Sequence, residues 1–320
     1  GGVGGRGFVF PGSVIGTNNP VNLSVHSTGL WDGCKNIESD RVCSLGLAGM
    51  CATTEEPGAS ISVKSCEWFK PGYDFNLIRV FHEISDETFS ISLEQYDDQY
   101  EVYIDSVLGF TQYYLSRPID SVKFRVIKTD SSQNKFVLHG ISLETTDPGV
   151  IYHASGVNGA KAGSFLRCCL LEKHVYALQP DWIIISFGTN DAYMSNFDRT
   201  VFAYDLSHLI DKVRKAAPDI PILLTTPGDS YRGKSPNKNM IQATKVIYDV
   251  ARLKKTAVWD LFEVMGGFGS VNNWNEFDLM AADRLHFSRK GYVLLGDLLF
   301  NAFLKSYDRF IDAKGREIKD

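Results

Sequence analysis

The alternation of apolar and polar positions divides the chain into two parts of different character. From about residue 151 onward, apolar runs alternate with segments of helical periodicity. The run at 182–187 (WIIISF) is almost continuously apolar, which is typical of a parallel strand covered on both faces. Strands and helices in alternation favour the α/β class with a parallel sheet. We predict further strands at 220–226 and 257–259 and helices around 206–213, 240–253 and 292–303.

Residues 36–146 follow a second pattern, in which apolar and polar positions alternate with period two. This pattern predicts a β-sandwich, either as a separate N-terminal domain or as an insertion into the α/β domain. The pattern places the β-sandwich at residues 36–146 and leaves both arrangements open. The clearest period-two segments lie at 89–93, 100–104, 122–126 and 136–143, separated by turn-forming residues.

The composition argues against two classes of protein. The chain has 320 residues with 33 basic and 38 acidic side chains, a net charge of −5, and it has no Lys/Arg block that could neutralise a phosphate backbone. We therefore expect no nucleic-acid partner. No apolar run approaches the roughly 20 residues that cross a bilayer, so we expect no transmembrane segment. The oligomeric state is left open.

The cysteines are too few for a disulfide-rich scaffold, and none has the C-x-x-C spacing of a zinc site. Several of them cluster before residue 67, which would allow disulfides in an oxidising compartment, but buried free thiols are equally compatible with the sequence. The pairing stays open, and we predict no metal site from these residues. They are Cys34, Cys43, Cys51, Cys66, Cys168 and Cys169.

Two short motifs could carry chemistry. The motif 188–191 (GTND) follows the predicted strand at 182–187, at the edge where α/β sheets bind ligands. The amide of Asn190 could donate to a developing oxyanion, although the same residue types are common in ordinary turns. Asp283 and His286 precede the last predicted helix and could supply an orienting carboxylate and a general base.

Two other motifs have simpler interpretations. Asp205 and His208 have the same spacing, but they lie on an amphipathic helix whose solvated face explains them. Residues 2–7 (GVGGRG) match the dinucleotide fingerprint G-x-G-x-x-G, but no strand is predicted before them and no helix after them. A flexible loop is the favoured interpretation of this segment.

The order of three blocks resembles that of a known family. Gly159 in the segment 155–160 (SGVNGA), then GTND at 188–191, then DRLH at 283–286 are similar to blocks II, III and V of the SGNH (GDSL-type) hydrolases. The match is closer to a subgroup with an inserted β-sandwich, which is similar to bacterial peptidoglycan or polysaccharide O-acetylesterases. Further segments that resemble this subgroup lie at 4–11, 17–20, 148–153 and 180–186.

The resemblance implies a three-layer SGNH-type domain made of residues 1–35 and 147–320, with the β-sandwich at 36–146 inserted into it. It also implies a serine esterase that removes O-acyl groups, in particular O-acetyl groups, from a bacterial glycan such as peptidoglycan. It implies that His286 takes the serine proton and that Asp283 orients the imidazole. Gly159 and Asn190 would contribute to the oxyanion hole. No metal or organic cofactor is implied, and the expected location is the periplasm or the cell surface.

The family's Gly-Asp-Ser nucleophile block is absent from the position where the resemblance requires it, ahead of the glycine-rich start. We expect this block and the first strand upstream of Gly1, so the chain as given is expected to be inactive. The alternative is a degenerate homologue that binds carbohydrate without cleaving it. The motif 228–230 (GDS) comes 40 residues after Asn190 rather than before it, which favours a loop turn. Ser230 and Ser13 remain fallback nucleophiles.

Aromatic side chains are frequent in the predicted β-sandwich and could stack on sugar rings. Strands also favour buried aromatics, so a purely structural role is the alternative. These residues are Trp68, Tyr73, Tyr96, Tyr100, Tyr103, Tyr113 and Tyr114.

Overall fold

A computed structural model describes residues 7–16, 19–66, 74–94, 96 and 98–317 of the chain. Trp68, Tyr73 and all but the last residue of the fingerprint-like segment 2–7 lie outside the described residues. The described chain forms two compact units. The larger unit contains residues 7–182 and 204–220, and the smaller unit contains residues 183–203 and 221–317.

Two antiparallel sheets make up most of the larger unit. One has the strand order β3-β4-β11-β6-β9-β8, with β1 also paired to β11, and the other has the order β2-β5-β10-β7. The four segments predicted from period-two alternation are confirmed as strands β7, β8, β10 and β11. The strands are β1 (Gly7–Val9), β2 (Leu23–Thr28), β3 (Asp32–Lys35), β4 (Met50–Thr54), β5 (Ser60–Ser65), β6 (Phe75–His82), β7 (Ser90–Glu94), β8 (Tyr100–Asp105), β9 (Phe110–Ile119), β10 (Ser121–Ile127) and β11 (Phe136–Glu144).

The two sheets share one hydrophobic core because each presents its alternate apolar side chains to the other. In β10, Val122, Phe124 and Val126 are buried and belong to this core. The ring of Phe124 lies 5.3 Å from that of Tyr113 in the other sheet. The Tyr113 hydroxyl donates to the carbonyl of Ile91 at 2.7 Å, so the polar tip of this buried ring is satisfied.

A disulfide and an arginine hold the loop between β3 and β4. Cys34 and Cys43 are paired, with their Cα atoms 6.5 Å apart, and the other four cysteines are free thiols. The guanidinium of Arg167 donates to the carbonyls of Asn36, Glu38 and Arg41 at 2.7 to 2.8 Å. The loop therefore closes on a covalent bond and a charged donor that satisfies its carbonyls.

Replacing both Cys34 and Cys43 with alanine is expected to lower the free energy of unfolding by about 2–3 kcal/mol, because the bond closes a loop whose ends are 9 residues apart. Urea unfolding without reductant measures this change. Cys66→Ala is the matched control, because this residue is a half-buried free thiol. Equal losses from both changes would show that the disulfide itself contributes nothing.

Three parallel strands form the sheet of the smaller unit, in the order β12-β13-β16. The strands and helices predicted from residue 182 onward are confirmed as elements, and the last helix is much longer than predicted. The remaining strands are β12 (Ile183–Ser186), β13 (Ile222–Thr225), β14 (Tyr231–Arg232), β15 (Ser235–Pro236) and β16 (Ala257–Trp259). The helices are α1 (Ala162–Leu166), α2 (Leu171–Leu178), α3 (Thr189–Tyr193), α4 (Arg199–Ala216), α5 (Asn239–Lys254), α6 (Leu261–Met265), α7 (Val271–Glu276) and α8 (Arg289–Glu317).

The parallel register brings two loops to one edge of this sheet. Ile183 pairs with Ile222 and Ser186 with Thr225, so β12 and β13 end side by side. The Thr225 hydroxyl donates to Ser186 Oγ at 2.7 Å at this end. The segments that follow, 187–191 and 226–231, therefore leave the sheet at its carboxyl edge, where α/β proteins bind ligands. Among the described residues, no helix has the length and apolar character needed to span a membrane.

Candidate active site

Asp283 and His286 form a hydrogen-bonded pair in the loop before α8. His286 Nδ1 donates to Asp283 Oδ2 at 2.7 Å, since an ionised carboxylate can only accept. The second carboxylate oxygen, Oδ1, accepts the backbone N–H groups of Leu285 at 2.9 Å and His286 at 3.0 Å. With its Nδ1 protonated, the neutral imidazole presents the lone pair of Nε2, which is the atom a general base uses.

These hydrogen bonds stabilise the negatively charged form of Asp283. The hydrogen bond from His286 is the main cause that lowers the pKa of Asp283 to about 2, and the backbone N–H groups act in the same direction. The carboxylate therefore stays ionised at neutral pH and can stabilise an imidazolium. The side chains of His286 and Asp283 are 63% and 52% exposed, so the pair is open to a reactant.

Backbone hydrogen bonds close the loop that carries the pair. Ala281 N–H donates to the carbonyl of His286 at 2.8 Å, and Arg284 N–H donates to the carbonyl of Ala281 at 2.9 Å. Met280 and Phe287 form an antiparallel bridge at the base of the loop. Arg284, between the two functional side chains, has a φ of +51°, a left-handed conformation that is uncommon for a residue other than glycine.

Asn190 lies in the first turn of α3, directly after β12. Gly188 precedes it with a φ of +117°, and a Cβ there would lie 3.2 Å from the ring of Pro227, so only glycine fits the sharp turn from strand to helix. The amides of Asn237 and Asn239 both donate to the carbonyl of Ala192, at 2.9 Å and 3.0 Å. Asn190 is half-buried on a turn that is fixed at both ends.

Ser230 is not arranged as a nucleophile. It is 2% exposed, and its hydroxyl makes no hydrogen bond to any described residue, His286 included. The neighbouring Asp229 is fully buried, and its Oδ2 accepts the N–H groups of Gly269 at 2.9 Å and Val271 at 3.0 Å. Burial raises the pKa of Asp229. The turn predicted for the 228–230 segment is thus a buried connection to the 269–271 loop.

Four other residues singled out in the sequence each have a different environment, namely Gly159, Ser13, Asp205 and His208. Gly159 belongs to the larger unit, where it has a φ of +82° in a turn before α1, with open space at its Cβ position. Ser13 is exposed and bonded to Ser27, with 2.9 Å between the hydroxyls. His208 is exposed as expected, whereas Asp205 is half-buried against Gly163, and burial raises its pKa. The expected solvated face therefore holds for His208 but not for Asp205.

The aromatic residues of the sheets divide into two groups. Tyr113 is buried in the core, as the structural alternative expects. Tyr100, Tyr103 and Tyr114 are 39%, 57% and 41% exposed on neighbouring strands β8 and β9. Tyr96 is half-buried.

Among the described residues, one group has the composition of a soft-metal site. The sulfur atoms of Cys34, Cys43 and Cys51 lie within 4.8 Å of one another. Two of the three are joined in the disulfide, which removes their thiolates as ligands.

A comparison with known protein families identifies the family of this chain. The model of the GDSL-like lipase/acylhydrolase family matches residues 130–294, just over half of the chain. The chain belongs to this family. It is therefore a carboxylic ester hydrolase of the SGNH/GDSL type, and the resemblance stated from the sequence is confirmed. The family match includes Gly159, Asn190, Asp283 and His286 within its bounds.

The chain is also similar to solved structures, one of which supports the same fold over most of its length. A peptidoglycan O-acetylesterase aligns with a TM-score of 0.75 over 94% of this chain and 82% of its own, at 20% identity. A lipase/acylhydrolase from Enterococcus faecalis aligns over 45% of this chain and 70% of its own, with 28% identity and a TM-score of 0.37. An esterase from Pseudoalteromonas sp. aligns over 50% and 79%, with 19% identity and a TM-score of 0.40. No curated protein sequence matches the chain.

Proposed function

We propose that this family member contributes the base, the orienting carboxylate and oxyanion donors to a serine esterase that removes O-acyl groups, in particular O-acetyl groups, from a bacterial glycan. The observation that carries the proposal is the hydrogen bond between His286 Nδ1 and Asp283 Oδ2 at 2.7 Å. It fixes the tautomer in which Nε2 accepts a proton, and it keeps a negative charge beside the ring.

The reaction follows from these roles. A serine hydroxyl gives its proton to His286 Nε2 while its oxygen bonds to the ester carbonyl carbon, and the carbonyl oxygen becomes an oxyanion. That oxyanion accepts a hydrogen bond from the Asn190 amide, worth about 3 kcal/mol in the transition state. The imidazolium then protonates the departing sugar oxygen. Water, deprotonated by the same imidazole, attacks the acyl-serine. The imidazolium returns this proton to the serine oxygen as the carboxylic acid leaves.

The serine itself belongs to the Gly-Asp-Ser block expected upstream of Gly1. Neither Ser230, which is buried, nor Ser13, which is bonded to Ser27, is placed as its substitute. We therefore expect the 320-residue chain alone to be inactive. The disulfide between Cys34 and Cys43 supports an oxidising location such as the periplasm or cell surface.

A glycan is the substrate that the exposed tyrosines favour. Tyr103 and Tyr114 present aromatic surface on one face of β8 and β9, and Tyr100 on the opposite face, in the part of the chain that we assign to an inserted β-sandwich. Flat aromatic faces suit sugar rings, because both are broad and amphipathic. The same observation favours the second candidate function, a carbohydrate-binding protein on a degenerate hydrolase fold.

Hydrolysis of an aryl acetate tests the proposal. We expect a polypeptide extended upstream through an in-frame Gly-Asp-Ser block to release the phenol, and the 320-residue chain to remain at the uncatalysed rate. An aryl octanoate measured in parallel separates an acetylesterase from a lipase-like enzyme. An upstream sequence without this block, together with binding of glycan by the 320-residue chain, would support the second candidate instead.

A further inference from the structure

The segment 228–231 takes no part in the proposed reaction, yet it contacts the loop that carries the catalytic pair. A Cβ on Gly228 would lie 2.7 Å from Met265 Sδ and 3.0 Å from Phe287 Cζ, so the backbone of this segment passes close to both side chains. Phe287 is the residue directly after His286. Asp229, through its two backbone hydrogen bonds, joins the same segment to the 269–271 loop.

Tyr231 makes the closest connection to the catalytic loop. Its backbone N–H donates to the carbonyl of Arg284 at 2.9 Å, and the guanidinium carbon of Arg284 lies 4.9 Å from the centre of its ring. Its hydroxyl donates to Asn272 Oδ1 at 2.7 Å. Tyr231 therefore binds both the backbone and the side chain of the left-handed residue between Asp283 and His286.

The conformation of Arg284 decides whether the pair can form. Asp283 Oδ1 accepts the N–H groups of the two residues that follow Arg284, and this arrangement needs the chain to turn back on itself at Arg284. A residue with a Cβ disfavours that turn, since the left-handed region is crowded for every residue except glycine. Contacts that hold Arg284 there therefore hold the hydrogen bonds of Asp283.

We propose that Tyr231 is a positioning residue, which keeps Arg284 in its left-handed conformation and thereby keeps Asp283 and His286 in hydrogen-bonding geometry. The catalytic meaning of this inference rests on the proposed function, but the geometry does not. It gives the Gly-Asp-Ser-Tyr segment a purpose other than supplying a nucleophile.

The pKa of Asp283, followed by carboxyl carbon NMR in the 320-residue chain, tests the proposal. In the unchanged chain it should be about 2. Tyr231→Leu removes the ring over Arg284, and we expect the pKa of Asp283 to rise by about one unit or more toward its ordinary value of about 3.9. Tyr231→Phe is the matched control, because it keeps the ring and the backbone contact, and the pKa should stay about 2.

A glycine at position 284 distinguishes positioning from general damage. Glycine adopts a positive φ without strain, so the double change Tyr231→Leu with Arg284→Gly should return the pKa of Asp283 to about 2. If Tyr231→Leu does not fold, Arg284→Val is the second variant, at a half-buried loop position. It should raise the pKa of Asp283 in the same way, because a β-branched side chain disfavours the left-handed conformation.

An unchanged pKa in the folded Tyr231→Leu or Arg284→Val chain, or a raised value that glycine does not restore, would overturn the inference. This readout needs no ester hydrolysis. The pKa of Asp283 could respond to the Tyr231 variants as expected while the upstream-extended polypeptide shows no esterase activity. That result would reject the proposed function and leave the positioning role intact.

Discussion

Replacing His286 with alanine, in a polypeptide extended upstream through the proposed Gly-Asp-Ser block, is expected to lower kcat for an aryl acetate by a factor of about 10⁴ or more. The serine hydroxyl is a weak nucleophile unless a base takes its proton as it attacks. In the proposed reaction that base is His286 Nε2, which the hydrogen bond from Nδ1 to Asp283 leaves free to accept a proton, and no alanine atom can replace it. KM should change little, because the imidazole acts in the transition state.

The chain supplies its own matched control for this experiment. His208 follows Asp205 with the same spacing, but it is exposed on α4, and its Nδ1 lies 2.8 Å from the carbonyl of Tyr204 rather than on a carboxylate. His208→Ala should therefore leave kcat within about twofold of the unchanged enzyme, as for surface changes away from a site. A His286→Ala variant that retains more than a tenth of the rate would remove His286 from the mechanism.

The sequence predicts the pair at 283 and 286 because spacing and position are visible in it, but it does not predict what supports the pair. The left-handed φ of Arg284 and the stacking of its guanidinium on Tyr231 have no signature in a pattern of apolar and polar residues. Arginine is not a residue type that predicts a left-handed turn. The role of 228–231 is therefore seen only when the two loops meet in the structure.

The period-two pattern likewise predicts some strands of the fold and misses others. Period two predicts β10, where burial alternates along the strand. It does not reveal β6, because apolar residues stand side by side in this strand at 77–78 and 80–81 and break the alternation. The last helix extends to Glu317 rather than ending near residue 303. It continues past Gly291 and Gly296, and no proline or glycine lies between residues 303 and 315 to end it.

Three buried histidines in the larger unit also have a consequence that the sequence does not predict. Burial lowers the pKa of His174 to about 3 and that of His82 to about 4, and it lowers the pKa of His139 as well. His174 Nδ1 accepts the N–H of Leu47 at 3.2 Å, so this nitrogen carries no proton in the fold. Protonating it would place two N–H groups against each other in a site that excludes water.

We therefore expect the free energy of unfolding to fall steeply as the pH is lowered from 6.5 to 4. In this window the unfolded chain binds protons on these histidines and the folded chain does not. Each unit by which the pH falls therefore lowers the free energy of unfolding. His174 and His82 together should cost about 6 kcal/mol at pH 4, relative to neutral pH, which is comparable with the whole stability of a domain. Urea unfolding at pH 7, 5 and 4 measures the loss.

His174→Asn tests the origin of this acid sensitivity. An asparagine carbonyl can accept the N–H of Leu47 as Nδ1 does, but it does not titrate, so the difference in unfolding free energy between pH 7 and pH 4 should shrink by about 3 kcal/mol. The smaller side chain leaves a cavity over Gly46 that lowers stability equally at every pH and does not affect this difference. His26→Asn changes an exposed histidine and should keep the full acid dependence. An acid dependence that survives His174→Asn unaltered would locate the titrating groups elsewhere.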